Sequence, residues 1–333
     1  MKTFITSLLF AFAFQLSNGQ IQIATFGDYQ LDNGEILKNT RIGYQTFGKL
    51  NTTKDNALLF TTWYGGTGES LKPYIGKETM IDTTQFYLIV IEALGNGISS
   101  SSSNTILKET EKFPTFSIRD MVNLQHRLLT KELGLKHLYG VTGISMGGMQ
   151  TYQWMASYPD FFDKAIPIVG SPKLSLYDQL NYRIFLNILE SEITTNANKG
   201  TYLMLEYTLG LTPKYYQEET KTVEAFTEEI LEQNKTYNPV DLYSQMLAIA
   251  NFSLDADFKR QKAKALADVF NGETLIIYSS TDHLVSPGSN RDAIDSLKAE
   301  SLDSKSVCGH YSFSCDIESI TSTVSTFLNK TSN

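Results

Sequence analysis

Apolar and polar positions along this chain fall into two alternating kinds of segment. Short apolar runs stand at 57–61, 86–91, 138–141, 165–169 and 274–278, each the length of a strand buried on both faces. Between and after them lie stretches with apolar residues at helical spacing, among them 118–133 and 317–328. Strand runs alternating with helical stretches predict an α/β protein with a mostly parallel sheet and helices on both faces. Upstream, residues 40–47 alternate polar and apolar positions, which predicts an antiparallel edge strand before the parallel core. Residues 304–307 predict one more short strand.

The interval between the fourth and fifth apolar runs is too long for one crossover helix and carries a polar, Tyr- and Leu-rich helical pattern. It predicts an inserted helical cap over 171–265, dividing a core of 20–170 and 266–333. The five serines at 99–103 read as a loop.

Chemistry enters at residues 142–150, where Gly143-x-Ser145-x-Gly147 lies between an apolar run and a helix-compatible stretch. A serine on such a strand-to-helix turn has its hydroxyl lifted clear of the sheet, and the glycines let the backbone turn tightly. Ser145 therefore needs a base, and a carboxylate to orient that base, further along the chain. Of the four histidines, His126 and His137 precede the serine and read as surface or packing residues. His310 follows it, between a short strand and the terminal helix. Asp282 follows the run at 274–278 in a loop, where a catalytic carboxylate belongs. His283 is a rival base, but its adjacency to Asp282 turns its side chain away from the acid. The expected triad is Ser145, Asp282 and His310.

Acyl chemistry also needs donors for an oxyanion. The Met146 amide, directly after the nucleophile, is one. The second comes from the glycine-rich loop 62–68, through the amide of Trp63 or Tyr64, with Tyr64 favoured. In the cap, Tyr177, Tyr182, Leu186, Tyr202, Leu205 and Tyr207 are expected mostly to pack helices, with one or two lining the acyl pocket.

The 333 residues are 41% hydrophobic and 19% charged, enough for one substantial core. A net charge of -8 without a basic cluster argues against nucleic acid and anionic membranes as partners, and no segment is long enough to span a bilayer. The N-terminus carries Lys2, an apolar stretch at 4–14 and the small residues Ser17, Asn18 and Gly19, which predicts a signal peptide over 1–19 cleaved after Gly19. Export to a periplasm or outside the cell licenses a disulfide between Cys308 and Cys315, which bracket His310. Two cysteines and an already committed histidine leave too few ligands for a metal, so none is expected.

Further words extend the pattern: Leu50-Asn51, Lys54-Asp55-Asn56-Ala57, Ala93-Leu94-Gly95 with serines after it, and Phe113-Pro114. Ile118-Arg119-Asp120-Met121-Val122, residues 143–150, Tyr158-Pro159-Asp160 and Ala165-Ile166-Pro167-Ile168 continue it. Across about residues 41–185 and 273–328 the chain resembles the homoserine O-acetyltransferase family of α/β-hydrolase-fold enzymes. The resemblance implies Ser145 as acyl-accepting nucleophile, Asp282 and His310 as its partners, and Arg183 as an anchor for a substrate carboxylate, a task that suits a planar guanidinium.

Acetyl-CoA and homoserine are cytosolic metabolites, whereas water is abundant outside the cell. The first expectation is thus an exported serine esterase or acyl hydrolase acting on a small ester without a cofactor. The alternative is an O-acyltransferase of the homoserine type with acetyl-CoA as co-substrate, and a second is a catalytically silent binding protein. A homodimer is left open.

Overall fold

The computed structural model describes residues 19–106, 112–197, 199–218 and 221–330. The expected signal peptide lies, but for Gly19, outside the described residues. From the N-terminus the elements are β1 (Gln22–Gln30), β2 (Ile36–Phe47), β3 (Ala57–Thr61), α1 (Gly68–Leu71), β4 (Tyr87–Ile91), α2 (Ile118–Arg127), β5 (Leu138–Ile144), α3 (Met146–Ser157) and β6 (Phe162–Ile168). Among the described residues there follow α4 (Leu176–Thr195), α5 (Thr201–Gly210), α6 (Pro213–Glu218), α7 (Val223–Asn234), α8 (Pro239–Ala250) and α9 (Asp255–Gln261). The chain then returns to β7 (Glu273–Tyr278), α10 (Gly288–Leu297), β8 (Glu300–Asp303), α11 (Ser312–Cys315) and α12 (Ile317–Leu328).

The eight strands form one sheet in the order β1-β2-β4-β3-β5-β6-β7-β8. β2 pairs antiparallel with β1 and β4, and the remaining neighbours are parallel. Alternate side chains enter cores on opposite faces. Leu59, Ile89, Val141 and Ile276 pack with α2, α3 and the helices between β6 and β7. Leu58, Phe60, Val90 and Ile277 pack under Ile320, Val324 and Phe327 of α12. Burial on both faces explains why the central strands read as unbroken apolar runs.

Two expectations need correction. The strand at 40–47 is longer and is not an edge, because β1 lies outside it. β1 escapes an apolar pattern because it is largely solvent-facing and bulged between Thr25 and Tyr29; the Asn33-Gly34 pair before β2 is the readable hairpin signal. The short strand expected at 304–307 lies at 300–303 instead. There the outer edge of the sheet is polar, and the Val307 carbonyl is taken by Thr212, from the segment between β6 and β7, rather than by a strand. Among the described residues no helix is long and apolar enough to cross a membrane.

Candidate active site

Ser145 stands at the turn from β5 to α3 with φ 58° and ψ -116°, a conformation that costs a non-glycine residue strain. The two neighbouring glycines permit it. A Cβ on Gly143 would lie 2.3 Å from the Gly147 backbone, and one on Gly147 would lie 2.6 Å from the Thr61 carbonyl oxygen. The Ser145 amide donates to Ile168 O at 2.8 Å, and Thr61 Oγ1 donates to Gly147 O at 3.0 Å, tying the turn to β6 and β3.

Asp282 follows β7, and His310 lies beyond β8. His310 Nδ1 is 2.6 Å from Asp282 Oδ2, and its Nε2 is 2.9 Å from Ser145 Oγ. Both residues are buried, whereas Ser145 is partly open. Asp282 Oδ1 accepts the amides of Leu284 at 2.8 Å and Val285 at 2.9 Å, so the carboxylate is oriented independently of the imidazole. A ring held with Nδ1–H toward Asp282 leaves Nε2 able to take a proton from Ser145.

The other histidines stand elsewhere. His283 is exposed, as its adjacency to Asp282 demands. His126 stacks on Tyr158 at 3.9 Å between ring centroids, and burial holds its pKa below the usual histidine value. His137 pairs with Asp163 at 3.0 Å.

Met146 opens α3, so its amide has no partner within the helix. It lines a cavity of 330 Å³ together with Ser145, His310, Trp63 and Tyr64. The loop carrying Trp63 and Tyr64 is braced from several sides. The Gly65 amide donates to Gln245 Oε1 on α8 at 2.8 Å, and Gln245 Nε2 donates to Leu94 O at 2.9 Å. The Gly68 amide donates to Glu92 Oε1 at 2.9 Å, and Asn96 Nδ2 donates to Glu92 Oε2 at 2.7 Å and to Gly66 O at 3.2 Å. Burial raises the Glu92 carboxyl from 4.5 to about 7 against these two donors. Glu92, Asn96 and Gln245 are not among the expected site residues; the sequence signal for the first is an acid directly after the apolar run of β4.

The remaining walls come largely from the helices between β6 and β7. Phe185, Leu203, Leu242, Met246 and Ile249 form the apolar part, while Tyr182, Tyr202, Tyr207 and Glu206 bring polar groups. More of the expected tyrosines therefore line the cavity than the one or two anticipated. Arg183 is a correction. On α4 the residues Tyr182, Phe185 and Leu189 are buried, and Arg183, a turn-face away, is exposed and outside the cavity lining; helical periodicity cannot turn 182 and 183 to the same side. Glu206 was also missed. Its signal was a lone acid in the apolar word Leu203-Met204-Leu205-Glu206-Tyr207.

Close backbone approach sets Glu206 against the histidine segment. Gly309 has φ 52°, and a Cβ there would lie 2.5 Å from the Gly210 carbonyl oxygen at the end of α5. Cys308 and Cys315 are disulfide-bonded around this segment, with Cys308 buried and Cys315 exposed.

The sequence profile of the alpha/beta hydrolase fold matches residues 63–314. A probable esterase from Corynebacterium glutamicum is 38% identical over 187 residues, covering 55% of this chain and 53% of its own. An ethyl acetate hydrolase from Pseudomonas veronii is 37% identical over 182 residues, covering 54% and 51%. A homoserine O-acetyltransferase from Methanococcoides burtonii is 34% identical over 176 residues, covering 46% and 36%. The chain thus spans about half the length, or less, of these curated relatives. Among solved structures, that of the acetyl esterase MekB superposes with a TM-score of 0.86 at 23% identity, covering 94% of this chain and 98% of that one, a likeness of fold.

Proposed function

The chain belongs to the alpha/beta hydrolase fold family, as an enzyme of the serine esterase or acyltransferase kind, and from that premise we propose that it hydrolyses a small ester through an acyl-enzyme on Ser145. Ser145 Oγ attacks the ester carbonyl while its proton passes to His310 Nε2, and Asp282 stabilises the imidazolium. The oxyanion is held by the amides of Met146 and Tyr64. Collapse expels the alcohol, which takes the proton from His310. Water then attacks the acyl-enzyme, gives a proton to Nε2, and Ser145 recovers it as the carboxylic acid leaves.

The observation that carries this reading is the 2.9 Å approach of His310 Nε2 to Ser145 Oγ at a cavity of ester-binding size. The esterase and ethyl acetate hydrolase relatives support water as acceptor. The homoserine O-acetyltransferase relative favours a second reading, transfer from acetyl-CoA to an amino-acid hydroxyl. Among the described residues no Lys or Arg lines the cavity, so the acceptor's carboxylate has no cationic anchor there, which weighs toward hydrolysis.

Export is part of the proposal. The charged and apolar N-terminal pattern and a disulfide beside the site both suit an oxidising compartment.

Purified protein assayed on short-chain nitrophenyl esters and on acetyl-CoA with homoserine tests the reading. Ester turnover without CoA dependence, abolished in Ser145→Ala, is expected. CoA release only with homoserine present would establish the transferase instead, and absence of both, with no fluorophosphonate labelling of Ser145, a binding protein.

A further inference from the structure

The cavity beside Ser145 has a polar wall that these acyl-transfer steps leave unused. Glu206 on α5 accepts the Tyr311 hydroxyl at 3.0 Å. Tyr207 donates to Gln233 Oε1 at 2.6 Å, and Gln233 Nε2 donates to the Tyr237 hydroxyl at 3.4 Å, so that pair of phenols is matched within the protein. The hydroxyls of Tyr64 and Tyr202 are buried without a hydrogen-bond partner among the described residues. Tyr202 is 1% exposed and lines the same cavity as Glu206 and Ser145. Burial, and after it neighbouring charges that include Glu206, push both phenols up. The carboxyl of Glu206 is itself raised by burial, opposed by the Tyr311 bond and by His310.

A buried phenol left unpaired is costly, and the half-buried Glu206, with Tyr311 as its donor, has acceptor capacity to spare. A ligand that serves both must accept from a phenol O–H and donate to a carboxyl oxygen. An ammonium group only donates and a carboxylate only accepts, so neither pairs with a phenol O–H and an ionised Glu206 together. A hydroxyl does both, and it matches Glu206 in either protonation state. Resting on the hydrolase reading above, we infer that Glu206, Tyr64 and Tyr202 form a subsite for a free hydroxyl group on the ester, so that the enzyme selects hydroxylated short-chain esters over their unsubstituted counterparts.

Matched substrates test the subsite: ethyl acetate against 2-hydroxyethyl acetate for the alcohol side, and ethyl butanoate against ethyl 3-hydroxybutanoate for the acyl side. In at least one pair the hydroxylated ester is expected to exceed its partner in kcat/KM by about tenfold or more. That ratio falls below about threefold in Tyr202→Phe and in Glu206→Leu, and part of it survives in Glu206→Gln, which keeps an acceptor. Ratios near one in both pairs, a ratio that persists in both Tyr202→Phe and Glu206→Leu, or a higher kcat/KM for 2-(trimethylammonio)ethyl acetate than for either hydroxyl ester would overturn it. Calorimetric binding of the same pairs to Ser145→Ala separates the two readings. Preferential binding of a hydroxyl ester without turnover by the wild-type enzyme would sink the hydrolase alone, whereas equal affinities would sink the subsite.

Discussion

Gly143 and Gly147 face each other across the turn that lifts Ser145, so closely that a Cβ on the first would sit 2.3 Å from the carbonyl of the second. That distance is below any real non-bonded contact, and the atom met is backbone, which cannot swing aside. The glycines of the elbow are thus a packing requirement of the nucleophile turn. Gly143→Ala should cost several kcal/mol or prevent folding, whereas Gly288→Ala, with nothing within 4 Å, should stay within about 1 kcal/mol of wild type. Denaturant unfolding of both variants checks this; a Gly143→Ala protein of normal stability would contradict it.

The 2.6 Å contact of Asp282 with His310 predicts that Asp282→Asn lowers kcat by about 10⁴, since the amide no longer favours the productive tautomer. His283→Ala, at an exposed neighbour, should change it by less than about threefold. Steady-state kinetics on one ester settles both, and equal damage from His283→Ala and His310→Ala would mean that the base is misassigned.

The disulfide closes a short loop around Gly309, His310 and Tyr311. Loop closure of this length contributes roughly 2 to 3 kcal/mol, and the residues it orders lie at the site. Reduction is therefore expected to lower kcat/KM by about tenfold while the protein remains folded. Activity and unfolding measured side by side in dithiothreitol check it, and undiminished turnover by the reduced enzyme would refute it. If the chain is exported as proposed, the freshly isolated protein should have no alkylatable thiol.

Glu92 gives a pH dependence with a definite sign. Its folded pKa of about 7 lies above the ordinary 4.5, so between these values the folded chain keeps a proton that the unfolded chain has released. The stabilisation is present below pH 4.5 and declines as pH rises to 7, by on the order of 3 kcal/mol. Glu92→Gln should remove that decline. Urea unfolding of both proteins at pH 5 and pH 8 checks it, and parallel pH profiles would show that Glu92 is not the group.

Residues close in sequence, or repeating with a strand or helix period, disclosed themselves without coordinates. The central strands were legible because burial on both faces demands continuous apolar runs, and the elbow because only glycine tolerates its contacts. Ser145, Asp282 and His310 were singled out from residue type, chain order and position after strands, since such chemistry needs rigid strand ends to hold side chains from distant segments.

What remained hidden depends on which surfaces meet. β1 pairs through backbone groups that carry no side-chain signature, and its exposed face leaves no apolar run. Arg183 differs from Tyr182 by one residue, and only the docking of α4 decides that the tyrosine faces the cavity and the arginine the solvent. Glu206 acquires meaning when the approach of Gly210 to Gly309 brings α5 against the histidine segment, setting a half-buried carboxyl beside Tyr311. Glu92 and Gln245 brace the loop of Tyr64 from segments far away in the chain. The chain alone determined which chemical groups and local turns were available; tertiary packing decided which of them share one cavity, because burial and hydrogen-bond pairing are properties of contacting surfaces.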